Sequence, residues 1–175
     1  MYFLGGKMND LEIRIMEKMI ELYAGDVKRI QHFTKVYTYA SYIGECEGLD
    51  ENTLGILKIA ALMHDIGIHE CEKKYGNCQG KLQEKEGPAI AETLLSSIKV
   101  SKAIIDRVMY LIAHHHTYTD VNGIDWQILL EADFLVNGYE DELSTEAIRT
   151  GYNNIFKTET GKKICREMYG MEKIK

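Results

Sequence analysis

A single proline, Pro88, in 175 residues is the feature that most narrows what this chain can become. Proline removes a backbone donor and bars the preceding residue from helical geometry, so a chain almost without it can run helices uninterrupted. The apolar residues agree with that freedom. Long stretches repeat at three- and four-residue spacing instead of alternating, which is the period of a helix with one buried face. The pattern predicts an all-α fold, a single-domain bundle of about seven helices.

The first helix is expected from near Asp10 to Tyr23. The second starts after Asp26, a suitable N-cap, and runs to about Cys46. Gly48-Leu49-Asp50 breaks the pattern, and Asp50 can cap a third helix carrying Leu54 to His64. Residues 67–84 read as an exposed loop, with Pro88 as an early helical residue of a helix through Leu95. Ser101 is placed to cap a helix from Lys102 to His115, and a polar loop, Thr117 to Gly123, leads to another from about Asp125 to Glu140. The tail, Ser144 to Tyr169, reads as one or two helices broken near Thr158. The motif-bearing core therefore spans about 26–140, with a helical extension over 144–170 whose Ile148, Tyr152, Ile155 and Phe156 can cover the core or a second subunit.

Charge and cysteines limit the partners. With 21 basic and 27 acidic residues the formal net charge is -6, a poor basis for dedicated nucleic-acid binding, which rests on neutralising phosphates. Cys46, Cys71, Cys78 and Cys165 contain no CxxC pair and read as free thiols of a reducing compartment. The opening residues, Met1 to Lys7, lack the basic region and apolar core of a signal peptide. No apolar run approaches the ~20 residues of a membrane span, so a cytoplasmic protein without a membrane partner is expected.

Three apolar stripes carry polar side chains that a core does not ordinarily hold. His32 shares its stripe with Val36, Ala40 and Ile43. His64 follows Leu57, Ala60 and Ala61 at spacings of seven, four and three. Asp133 lies among Trp126, Leu129, Leu130 and Val136, and Asp65 sits beside His64. A single core histidine is usually hydrogen-bonded, and a single aspartate can cap or pair. An unpaired buried carboxylate is costly, however, and two imidazoles with two carboxylates make a mixed N/O site suited to a first-row transition metal.

The string Ala60-Ala61-Leu62-Met63-His64-Asp65-Ile66-Gly67 resembles the signature of the HD-domain metal-dependent phosphohydrolase superfamily. His32 followed by Val36 and Ala40, and Glu131-Ala132-Asp133 on a later helix, resemble its flanking motifs over roughly residues 26–140. The resemblance implies a helical bundle around a divalent metal held by His32, His64, Asp65 and Asp133. It also implies hydrolysis of a phosphoester, of a nucleotide or related small molecule, by metal-activated water. Mn, Fe, Ni, Zn or Co would all suit the donors.

Some members of that superfamily hold further metals through additional histidines. Here the later run is His114-His115-His116, in which His115 and His116 fall on apolar stripes and His114 does not. Four residues before Gly87, where those enzymes place a histidine, this chain has Gln83, followed by Glu84 and Glu86. One metal is expected, with Gln83, Glu84, Glu86, His115 and His116 the residues open to a second metal or to substrate. Asp65, His115 and His116 are the candidate catalytic groups, the histidines contacting phosphoryl oxygens or protonating the leaving group. Lys35, one turn after His32, and the loop lysines Lys73, Lys74 and Lys81 are basic residues that could greet a substrate phosphate, each more often an ordinary surface lysine. The Gly-Tyr-Pro motif of cyclic-dinucleotide enzymes is absent after the histidine run, which reads Thr117-Tyr118-Thr119-Asp120-Val121-Asn122-Gly123. Two other readings stay open: a non-catalytic metal-containing module that senses a nucleotide or binds a partner, and an HD-type diiron oxygenase. A homo-oligomer is also compatible with the sequence.

Overall fold

The computed structural model describes residues 10–171, and those residues are entirely helical with intervening turns. The helices are α1 (Asp10–Leu22), α2 (Val27–Cys46), α3 (Glu51–Met63), α4 (Ile68–Tyr75), α5 (Gly80–Ser97), α6 (Lys102–Ile112), α7 (Ile124–Glu140), α8 (Thr145–Ile155) and α9 (Glu159–Met168). The opening residues Met1 to Lys7 lie outside the described part. Among the described residues no helix is long and apolar enough to cross a membrane.

Local chemistry places most boundaries where the sequence puts them. The Asp26 carboxylate accepts from the Arg29 N–H and opens α2, and Asp50 accepts from the N–H groups of Asn52 and Thr53 to open α3. Thr158 accepts from the Gly161 N–H at 3.0 Å, so the tail divides into α8 and α9 at the expected break. Ser101 precedes α6, but its side chain makes no capping bond, and α6 ends at Ile112, short of the histidines.

Residues 67–84 differ most from expectation. Most of this stretch is helical, as α4 and the first turn of α5, and α5 begins at Gly80, leaving Pro88 well inside it. The stretch is polar because α4 faces the core only through Ile68 and Cys71, so periodicity is faint there. Pro88 is tolerated although it leaves the carbonyl four residues earlier without its helical donor. The reward is close packing. A Cβ on Gly67 would lie 2.8 Å from the Gly87 nitrogen, and one on Gly87 would lie 2.7 Å from Ile112 Cγ2. Two glycines thus let α5 press against the turn that follows Asp65.

The core is central to the bundle. α2 packs chiefly on α3 and α7, α5 packs on α6, and α3 touches both α6 and α7. Leu57, Ala60, Ala61, Leu62 and Met63 of α3 have no solvent exposure, which is why this helix reads as apolar almost all round. Ile148 and Phe156 of the tail are buried in the same core, and Tyr152 and Ile155 pack against it partly exposed.

Candidate metal centre

His32 projects from the second turn of α2, His64 caps the end of α3, Asp65 follows in the turn, and Asp133 projects from α7. Their donor atoms meet. The two Nε2 atoms of His32 and His64 lie 3.0 Å apart. Asp133 Oδ1 is 3.3 Å from His32 Nε2 and 3.5 Å from His64 Nε2, and Asp65 Oδ2 is 3.5 Å from each.

The imidazoles are pinned from behind. His32 Nδ1–H donates to Glu140 Oε2 at 2.9 Å, and His64 Nδ1–H donates to the Ala61 carbonyl at 2.9 Å. With Nδ1 carrying the proton, each Nε2 presents a lone pair to the same interior point. Two lone pairs and two carboxylate oxygens so close repel unless something positive lies among them. Asp133 Oδ1 makes the demand specific, being buried with no hydrogen-bond partner. The titration behaviour reports the same field. Burial lowers the His32 pKa, but Asp133, Asp65 and Glu140 outweigh it and raise it to about 9, so near neutral pH a proton takes up the Nε2 lone pair until a metal displaces it. Burial likewise opposes ionisation of Asp65 and Asp133, yet the surrounding histidines hold both well below the usual carboxylate range.

A second corner adjoins the first through Asp65. His115 Nε2 lies 3.4 Å from Asp65 Oδ1, and His115 Nδ1–H donates to the Ile112 carbonyl at 2.7 Å. Asp65, His115 and His116 could together hold a cation, as could His32, His64 and Asp65. Gln83 changes this corner. Its Oε1 stands 3.3 Å from His115 Nε2 and 3.0 Å from His116 Nε2, so a neutral amide oxygen occupies the space between the rings. Burial and the neighbouring His115 lower the His116 pKa to about 4.

The other acidic and basic candidates lie elsewhere. Glu84 is buried but turned toward the loop after α6, accepting from the His116 N–H at 3.0 Å, Thr117 Oγ1 at 2.8 Å and Lys81 at 2.8 Å. It shapes the histidine segment and presents no oxygen to the metal-ligating atoms. Glu86 is bound on the surface by Lys74 at 2.6 Å and Tyr75 at 2.8 Å, which removes it from both corners. Lys35 is held by Glu140 Oε1 at 2.7 Å, and Lys74 and Lys81 are likewise paired with glutamates. His114 stacks on Tyr110 and donates to its carbonyl, away from the centre.

Glu140 is the residue that motif reasoning passed over. It lies seven positions after Asp133, and Asn137 lies four after, so a polar stripe on α7 runs out of the metal-ligating aspartate. That spacing was a usable signal. Tyr23 had none: its hydroxyl donates to the Asp65 carbonyl at 2.7 Å from the far end of α1.

A family model described as HD domain matches residues 29–150. The chain belongs to the HD domain family. The match includes His32, His64, Asp65 and Asp133, so the whole interior cluster falls inside the HD domain. The structure is also similar to the crystal structure of a predicted HD superfamily hydrolase from an uncultured Thermotogales bacterium. The TM-score is 0.66 and the identity 26%, with 94% of this chain and 93% of that one covered. No curated protein matches the chain.

Proposed function

We propose that this HD domain is a metal-dependent phosphohydrolase that cleaves a phosphoester of a nucleotide or related small molecule. His32, His64, Asp65 and Asp133 would hold the metal. The observation that carries the reading is Asp133 Oδ1, buried without a hydrogen-bond partner beside two inward-facing imidazole nitrogens. A carboxylate oxygen in that state needs a cation, and the donor set suits a divalent transition metal. The Thermotogales neighbour, itself described as a predicted hydrolase, supports the same class.

A divalent ion in such a site lowers the pKa of water toward neutrality and offsets charge on a phosphoryl oxygen. The chain's own residues do the rest. Glu140 holds the His32 ring in one tautomer through Nδ1–H, with Lys35 fixing the other carboxylate oxygen. Asp65 faces both corners and is placed to orient an attacking water by accepting a hydrogen bond from it. His115 is suited to contact a phosphoryl oxygen or to supply a proton to the leaving group, help typically worth about 10²–10⁴-fold, whereas His116, its pKa lowered to about 4, is neutral near pH 7 and suited to contact alone. One metal is proposed, because Gln83 supplies an amide oxygen where a strong second ligand would be needed.

The test is a metal-supplemented screen against mono- and dinucleotides and a generic phosphodiester, with elemental analysis of the same preparation. Wild type should contain about one transition metal per chain and release product, and Asp65→Ala and His64→Ala should lose both. Full metal and full activity in both variants would remove the assignment. Nucleotide binding without product across all metals would replace it with a sensing module.

A further inference from the structure

Of the four residues that would hold the metal, Asp65 depends most on its backbone. His32 and Asp133 project from within helices, and His64 is pinned through Nδ1–H to the Ala61 carbonyl. Asp65 sits in the turn between α3 and α4, and its side chain is 18% exposed, against 9% or less for the other three. Its aim is also the most demanding. Oδ2 lies 3.5 Å from the Nε2 atoms of His32 and His64, while Oδ1 lies 3.4 Å from His115 Nε2. A small rotation of the turn would carry both oxygens away from their corners.

Two donors fix the Asp65 carbonyl. The Ile68 N–H reaches it at 3.0 Å from within the same turn, and the Tyr23 hydroxyl reaches it at 2.7 Å from the C-terminal end of α1. Tyr23 is itself tightly held. It is buried, and its ring centre lies 6.2 Å from that of Phe33 on α2 and 4.4 Å from that of His69 on α4. Charged groups lace the same junction. Asp26, between α1 and α2, meets His69 Nε2 at 3.2 Å, and Arg29 bonds Asp26 at 2.6 Å and Glu72 of α4 at 2.5 Å. The end of α1 and the start of α2 thus grip Asp65 and the helix that follows it.

A tyrosine hydroxyl inside a protein ordinarily finds some acceptor, and Tyr37 does so in a purely architectural way, donating to Glu12 at 2.7 Å to tie α2 to α1. Tyr23 differs in what it holds. A group bonded behind a metal ligand sets that ligand's orientation, and its loss typically costs about 10–100-fold in metal affinity. The HD match begins at residue 29, so α1 and Tyr23 lie before the matched span.

We infer that Tyr23 is a positioning residue of the metal centre, and that α1, outside the HD match, completes the site by fixing Asp65 from behind through its carbonyl. The inference rests on the metal-ligating part of the proposed function and is independent of which ester is cleaved.

The experiment strips the full chain with a chelator and titrates it with Co²⁺ alone. Affinity is read by competition with a chelating dye, and ligand geometry from the visible absorption of the bound cobalt. Wild type, Tyr23→Phe and Tyr37→Phe are compared. Each variant keeps its ring and loses one hydroxyl hydrogen bond, so Tyr37→Phe measures what a lost bond costs by itself. Tyr23→Phe should weaken Co²⁺ binding about tenfold and change the cobalt spectrum, whereas Tyr37→Phe should keep the wild-type spectrum and an affinity within about twofold. If Tyr23→Phe binds as wild type does with an unchanged spectrum, the inference is overturned and the metal reading stands. Equal losses of affinity in both variants overturn it as well, because the effect would then belong to general stability. A wild type that binds no Co²⁺ removes the metal reading and the inference with it.

Discussion

Helix α7 buries two carboxylates two residues apart, and they have opposite fates. Glu131 has no solvent exposure, yet its oxygens receive the N–H groups of Lys157 and Thr158, the Thr158 hydroxyl and the Gln127 amide. It fastens α7 to the segment that starts α9, and a side chain at Gly161 would collide with it. Asp133, on the other face, is almost equally buried at 2% exposure and has an oxygen with no donor. Burial is therefore not what marks a metal ligand. The number of donors around the carboxylate is: a saturated one holds the fold together, and a starved one needs a cation.

The largest expected effect breaks the comparison on the starved side. Asp133→Asn keeps the shape and removes the charge, so bound metal and phosphoesterase activity should both fall to background, read by elemental analysis and turnover. Retention of metal by this variant would end the argument from the orphaned oxygen. On the saturated side, Glu131→Ala leaves several donors without an acceptor and should lower unfolding free energy by roughly 3 kcal/mol in urea titration. Its metal content per folded chain should match wild type. A variant that unfolds no more easily but loses its metal would mean the two carboxylates are not separable.

A smaller effect sharpens the contrast through the group behind His32. Glu140→Gln keeps an acceptor near Nδ1 but removes its charge, and metal affinity should drop about 10–100-fold in a chelator competition. The smallest concerns Glu84, another well-supplied carboxylate. Burial alone would raise its pKa, but bonds from Lys81, Thr117 and the His116 N–H lower it below the ordinary 4.5. A depressed folded pKa means that its stabilisation is present above about 4.5 and is lost as pH falls through the lowered value. Replacing it with glutamine should flatten that acid limb by about 1 kcal/mol, measured by denaturation between neutral and acidic pH.

Several of these distinctions were legible in the residues and others were not. Asp26 and Asp50 announce their helices because capping is local: the side chain bonds a backbone group two or three residues on. His32, His64 and Asp133 announce themselves because each interrupts an apolar stripe. The stretch 67–84 did not, since α4 and the start of α5 bury few side chains and their polar faces resemble a loop. Glu84 and Glu86 looked equivalent in sequence, but one lies under the loop that carries His116 and the other on the surface with Lys74.

By itself, the sequence determined the helical class and the three stripes that aim His32, His64 and Asp133 inward, because helical periodicity converts spacing into direction. Asp65, in the turn after α3, joined them through the resemblance. Only the tertiary structure decided which polar groups have partners. Glu131 finds three of its four donor groups in Lys157 and Thr158, more than two dozen positions away, Gln83 meets His115 and His116 across two helices, and Asp133 Oδ1 meets no donor at all. Whether a buried charge is satisfied depends on contacts between distant segments, and no local pattern encodes them.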